Sequence, residues 1–393
     1  MMMATPKPAS AVGAESHDRM YGLDVCRTMA ILSVVFGHML QHSTPHPYLA
    51  SVGFMAIFGV DLFFCLSGFL IGRILMQVSE RWPQEQERGV MQFWYRRWMR
   101  TLPLYFFFLF VELQIYWGGA SSLSAQRAYL VFAQNLAWPM PSFYGLTWSL
   151  TVEEWFYFLF PLLILLSIGF GKTPRASVLT AIVIFLVIPP VLRFFLFDAS
   201  GAFNNLDPNI RHVVIFRLDS LGFGVLAAYI YHWHKPLFRM IAELRWFFIA
   251  AALACMAFIK WDYFGLAETN WLVTVYFSVV ALVFAGLIPF FSGLSPTRFA
   301  WFNRFVKYTS QIAYSLYLGH VVAFAACIYM FKRLGCYDTI YPNPWLTYPI
   351  FMALVYLLAS FTYFAIEKPL LTLRDRRSKV TAQKTPIEAQ VPI

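Results

Sequence analysis

The sequence predicts an all-α fold: a polytopic transmembrane helical bundle of about ten spans, with both termini cytoplasmic. Three observations carry this expectation. Of 393 residues, 59% are hydrophobic and 13% are charged, against about 45–50% and about 25% in an ordinary soluble domain. Runs of about 20 apolar residues, long enough to cross a ~30 Å hydrocarbon core, recur along the chain. Lys and Arg are spread unevenly over the segments that join those runs. A soluble enzyme, a secreted disulfide scaffold and a disordered tail protein are thereby excluded. The net charge of +10 is read first as membrane topology and not as nucleic-acid affinity.

Taken in order, the expected spans are 24–42, 51–76, 101–117, 148–169, 176–197, 213–231, 246–260, 271–291, 311–331 and 346–366. The stretch 125–137 suggests a short interfacial helix before the fourth of them. With the N-terminus inside, 21 of the 30 basic residues fall in inner segments and 7 in outer loops or toward the outer ends of spans, while Arg27 and Arg73 sit at inner helix ends. Such a bias fits an even number of spans. Residues 1–20 form a polar tail without the apolar core of a signal peptide. Residues 21–370 form the transmembrane domain, and 371–393 a basic tail expected to be disordered. The five cysteines, Cys26, Cys65, Cys255, Cys327 and Cys336, show neither metal-ligand nor disulfide spacing, so no metal site is expected.

Against this apolar background, embedded polar residues stand out, because burying them in a bilayer is costly. Arg27 and His38 lie eleven residues apart on the first span. Helical geometry returns them to within about 20° of one face, about 16 Å apart along the axis. Asp61, in Gly59-Val60-Asp61-Leu62, falls near the middle of the second span. Glu153 and Glu154 open the fourth span, with Ser149 one turn before Glu153 on the same face. His320 ends Tyr314-Ser315-Leu316-Tyr317-Leu318-Gly319-His320 near mid-membrane, where an interhelical hydrogen bond is as good a reading as catalysis. A carboxylate close to His38 would fix its tautomer and raise its basicity, as a general base requires. On the inner face, Arg97 and Arg100 flank Trp98, a pattern suited to phosphates and adenine stacking as well as to topology. Arg217 and Asp219 are expected to form an outer-face ion pair, and Glu367 to pair with a basic loop.

In combination these segments resemble the type-3 acyltransferase family of integral-membrane O-acyltransferases. The resemblance rests on the Arg27–His38 spacing, GVDLFFCLSGFLIG at 59–72, the Arg97/Arg100 pair before TLPLY, WSLTVEEWFYFLFP at 148–161, RLDSLGFG at 217–224, YSLYLGH at 314–320 and IEKP at 366–369. It implies transfer of an acyl group, commonly acetyl, from cytoplasmic acyl-CoA to a hydroxyl of a cell-surface glycan or its lipid-linked precursor. On that basis His38 is the expected catalytic base, with Glu153 or Asp61 orienting it. Arg27, Arg97 and Arg100 would bind the donor. Acyl-CoA enters as a co-substrate and no permanently bound cofactor is expected. The expected partners are the bilayer of the bacterial inner membrane, the donor and a glycan or small-molecule acceptor, with no nucleic acid. Some family members carry an extra extracytoplasmic domain after the membrane part, and this sequence shows none. Two alternatives stay open: O-acylation of a small molecule such as a macrolide, and proton-coupled secondary transport, which buried His, Asp and Glu would also suit.

Overall fold

The computed structural model describes residues 20–43, 53, 55–80, 86–115, 123–196, 210–262, 270–341 and 343–383. Every regular element among the described residues is helical. In chain order these are α1 (Tyr21–Ser43), α2 (Met55–Glu80), α3 (Gln86–Ile115), α4 (Leu123–Leu130), α5 (Trp148–Gly169), α6 (Pro174–Leu196) and α7 (Leu218–Trp233). They are followed by α8 (Lys235–Glu243), α9 (Arg245–Asp262), α10 (Asn270–Ser292), α11 (Ala300–Arg333), α12 (Tyr337–Ile340), α13 (Pro344–Thr362) and α14 (Lys368–Gln383).

Among the described residues, seven stretches are long and apolar enough to cross a membrane: Tyr21–Gln41, Met55–Glu80, Gly145–Gly169, Pro174–Leu196, Thr274–Ser292, Ala313–Arg333 and Pro344–Arg376. The bent pair α8–α9, broken by 63°, would make an eighth. The chain is therefore a multi-pass membrane protein. The remaining expected spans coincide with α3, α7 and α9, which are helical but do not meet the same standard alone. In α7 the reason is visible: it has 16 residues and carries Asp219. Neighbouring helices cover it, and its buried residues run from Asp219 to Tyr229. A helix wrapped by protein need not be apolar all round, because it does not meet lipid.

Two parallel helix pairs organise the core. The hydrogen bonds Tyr21–Asn303, Arg27–Ser310 and His38–His320 keep a nearly constant offset, so α1 and α11 run side by side in one register. Asp61–Arg217, Cys65–Ser220 and Glu80–His232 do the same for α2 and α7. Close approach of the second pair is a glycine effect. A Cβ on Gly68 would lie 2.1 Å from the Leu221 carbonyl oxygen, and one on Gly224 would lie 2.1 Å from that of Cys65. Small residues let helix backbones touch where lipid gives no hydrophobic drive for association. Packing of α1 on α2 joins the two pairs into one core.

Two sequence expectations need amending. The interfacial helix before α5 is shorter than 125–137 suggests, ending at Leu130. From 371 the chain continues as α14 to Gln383. Pro369 follows the π-helical turn Tyr363–Glu367 through which α13 runs on into α14, at a point where the missing proline N–H interrupts the helical ladder. Asp375, bonded by Arg374 at 2.8 Å and facing Arg96 at 3.6 Å, links α14 to α3. The tails 1–19 and 384–393 lie outside the described residues.

Candidate active site

A cavity of about 320 Å³ opens between α1, α2, α3, α5 and α11. On α2 its wall is a helical stripe, Phe63, Ser67, Leu70 and Ile74, with Val60, Phe64 and Arg73 beside it. Four arginines converge there: Arg27, Arg73, Arg97 and Arg100. Glu153 is the one carboxylate in the lining.

Each arginine is held differently. Arg27 donates to the Ser310 hydroxyl at 3.3 Å, and that hydroxyl donates to Asp24 at 2.7 Å. The Asp24 carboxylate itself stands 3.9 Å from the guanidinium. Arg73 lies over the Phe69 and Tyr231 rings at 5.9 and 5.0 Å. Arg97 lies 5.7 Å from both the Phe93 and the Tyr157 ring centroids. Such cation–π contacts hold a guanidinium in place without neutralising it. Arg73, Arg97 and Arg100 have no ion-paired carboxylate among the described residues. Glu153, whose two oxygens accept from the Ser67 and Tyr157 hydroxyls at 2.8 Å each, brings one carboxylate to this wall. The result is a pre-formed, strongly cationic cavity with hydroxyl and aromatic walls, the donor set that recognises phosphates.

At the deeper end stands Tyr317, whose hydroxyl meets the Leu146 carbonyl at 3.0 Å and the Ser149 hydroxyl at 2.5 Å. Beyond it lies His320, its ring 6.1 Å from that of Tyr317. Nδ1 of His38 sits 2.8 Å from Nε2 of His320, and the two rings are near-parallel with centroids 5.1 Å apart, edge facing edge. His320 is 1% exposed, and its Nδ1 is 2.8 Å from the Tyr317 carbonyl oxygen.

The structure thus brings Arg27, Arg97, Arg100 and Glu153 to one cavity, and places His38 outside its lining, beyond Tyr317. It does not place either expected carboxylate on His38. Glu153 is taken by Ser67 and Tyr157, while Asp61 is ion-paired with Arg217 on α7. Glu154 faces the other side of α5, into a groove lined by Trp98, Leu102 and Phe158. The expected Arg217–Asp219 pair is also replaced, because Arg193 of α6 forks onto Asp219 at 2.8 and 3.3 Å. Residues two apart on a helix point in different directions, so each member of the sequence pair finds its partner on another helix. Glu367 lies in a π-helical turn, Tyr363–Glu367, and accepts from Ser315 at 2.8 Å; a basic loop is not its hydrogen-bond partner. The sequence places Arg73 at an inner helix end and does not mark it as a site residue. Its spacing from Ser67 and Leu70 on the cavity stripe is the signal that could have found it.

A family model described as an acyltransferase domain matches residues 20–364, and the chain belongs to that acyltransferase family and is an enzyme of this kind. The O-acetyltransferase OatA of Staphylococcus aureus is 25% identical over 388 residues, covering 89% of this chain and 57% of its own length. The peptidoglycan O-acetyltransferase OatA of Listeria monocytogenes is 31% identical over 39% of this chain and 25% of its own. A protein of Bacillus subtilis named as a putative peptidoglycan O-acetyltransferase, YrhL, is 28% identical over 48% of this chain and 30% of its own. The chain spans little more than half the length of the staphylococcal relative. No solved structure matches.

Proposed function

We propose that this enzyme is a bacterial cytoplasmic-membrane O-acyltransferase that takes an acyl group, acetyl first, from acyl-CoA at the cytoplasmic face. It delivers that group to a hydroxyl of a cell-surface glycan or its lipid-linked precursor. About ten spans with both termini inside would bring the four-arginine end of the bundle to the cytoplasm. One observation carries the reading: four guanidinia and a single hydrogen-bonded carboxylate line a cavity that leads toward His38. Such an excess of positive charge in a low-dielectric setting calls for an anionic ligand. The CoA phosphates meet that requirement, with Arg27, Arg97 and Arg100 as their ligands and Arg73 added to them. The Arg27-to-His38 rise of about 16 Å is comparable with an extended pantetheine arm, which would carry the thioester inward.

His38 then acts as general base. It takes the acceptor's hydroxyl proton as the oxygen attacks the thioester carbonyl. The new C–O bond forms, the C–S bond breaks, and the departing CoA thiolate recovers the proton from the imidazolium. Asp61, tied to Arg217, serves the fold in this reading, and Glu153 shapes the cavity wall. The glycan acceptor is supported by the names of the relatives, and a peptidoglycan-type glycan is the first acceptor to assay. Membranes supplied with acetyl-labelled CoA should pass label into that glycan. His38→Ala should abolish the transfer at unchanged expression. Label that stays on the donor, or full activity in His38→Ala, would sink the proposal.

A further inference from the structure

We propose that His320 is the positioning residue of the catalytic base, fixing His38 in the one tautomer that can accept a proton from the acceptor hydroxyl. The inference rests on the acyl-transfer reading given above and adds a residue to it. His320 donates from Nδ1, because its contact there, the Tyr317 carbonyl oxygen at 2.8 Å, can only accept. In the neutral ring its Nε2 must then be an acceptor. The group facing that Nε2 at 2.8 Å is Nδ1 of His38, so His38 carries its proton on Nδ1. That leaves Nε2 as the basic nitrogen of His38. When Nε2 takes up the hydroxyl proton, the positive charge of the resulting imidazolium is spread to an Nδ1–H already bonded to His320. The relation is that of a catalytic histidine and the group that orients it, with a second imidazole in place of a carboxylate.

The rest of the structure holds this arrangement in place. His320 is 1% exposed, and its ring lies within 5° of parallel to that of His38. The α1–α11 register is fixed about three turns away by Arg27 on Ser310 and nearly five turns away by Tyr21 on Asn303, at 3.3 and 2.8 Å. One bond of that register involves a donor-binding arginine and the last involves the base, so one pair of helices sets both ends of the path. The carboxylates that sequence spacing offers for the orienting role, Asp61 and Glu153, are bonded elsewhere.

Two substitutions separate positioning from packing. Asn at 320 can reproduce the Nδ1 contact with the Tyr317 carbonyl but cannot reach His38. Gln can place an acceptor where Nε2 stood. His320→Asn should lower kcat by about 100-fold, the scale of a general-base contribution, with KM for acetyl-CoA unchanged. His320→Gln should keep most of the activity. Equal activity of the Asn and Gln variants, or a rise in KM in place of a fall in kcat, would overturn the assignment. Parallel loss of activity and of thermal stability in both variants would make His320 a packing residue and overturn it too. An active His38→Ala protein defeats the underlying reading, whereas an inactive His38→Ala with a wild-type His320→Asn defeats this inference alone.

Discussion

Where α2, α6, α7 and α10 meet, Arg193 lies bidentate on Asp219 and Arg217 lies on Asp61, with the Phe277 ring 6.0 Å from the first guanidinium and 4.2 Å from the second. Around the cavity between α1, α2, α3, α5 and α11, four guanidinia face Glu153 in the lining, with Asp24 standing 3.9 Å behind Arg27. Both regions place arginine inside a bundle that is mostly apolar, yet only the first supplies a counter-charge for every arginine. A fully buried ion costs several kcal/mol unless it is paired. Arg193 and Arg217 are 1% and 0% exposed, and each has a carboxylate. The cavity arginines retain access to water and rest partly on aromatic faces. Charge balanced within the protein cross-links helices, and charge left in excess along a cavity is capacity for a ligand.

The largest test of this contrast is to unbalance the paired region. Asp61→Ala strands Arg217 and should cost about 3–5 kcal/mol, seen as a lower thermal midpoint and yield in detergent. Replacing both partners with apolar residues, Asp61→Leu with Arg217→Met, should restore most of the stability. Activity regained in that double variant would also remove Asp61 from the chemistry. Next in size, Arg97→Ala and Arg100→Ala should each raise KM for acetyl-CoA at an unchanged thermal midpoint. A lost charge-assisted hydrogen bond is worth about 1.5–3 kcal/mol, or roughly tenfold and upward. An unaltered KM in both would take these residues out of the donor site. Arg73→Gln should act in the same direction by up to about tenfold, since its aromatic supports remain. The smallest effect belongs outside both regions: Asp375→Ala breaks the half-exposed contact with Arg96 and should shift stability by less than about 1 kcal/mol, with donor KM unmoved.

Much of the helical plan was written in the sequence, because an apolar run long enough to span a bilayer has few other ways to satisfy its backbone. The Arg27–His38 alignment was legible for a related reason: both lie on one helix, whose 3.6-residue period is fixed. Partnerships between helices were not. Asp61 pairs with Arg217 and His38 with His320 across more than 150 and 280 positions. Which faces meet is decided by close contacts such as Gly68 against Leu221, and no single span encodes them. Arg73 was missed because a basic residue at a helix end already has a sufficient explanation in topology. Only its place on the stripe beside Ser67 and Leu70 marks it as lining a cavity.

The position of Tyr317 has one more consequence. Here the Tyr317 phenol stands between the cavity and the histidine pair, clamped by the Leu146 carbonyl and the Ser149 hydroxyl and edge-on to Phe63 at 6.4 Å. In the acyl-transfer reading the thioester has to pass this ring to meet His38, so the clamp that separates cavity and base at rest is also the element that turnover has to release.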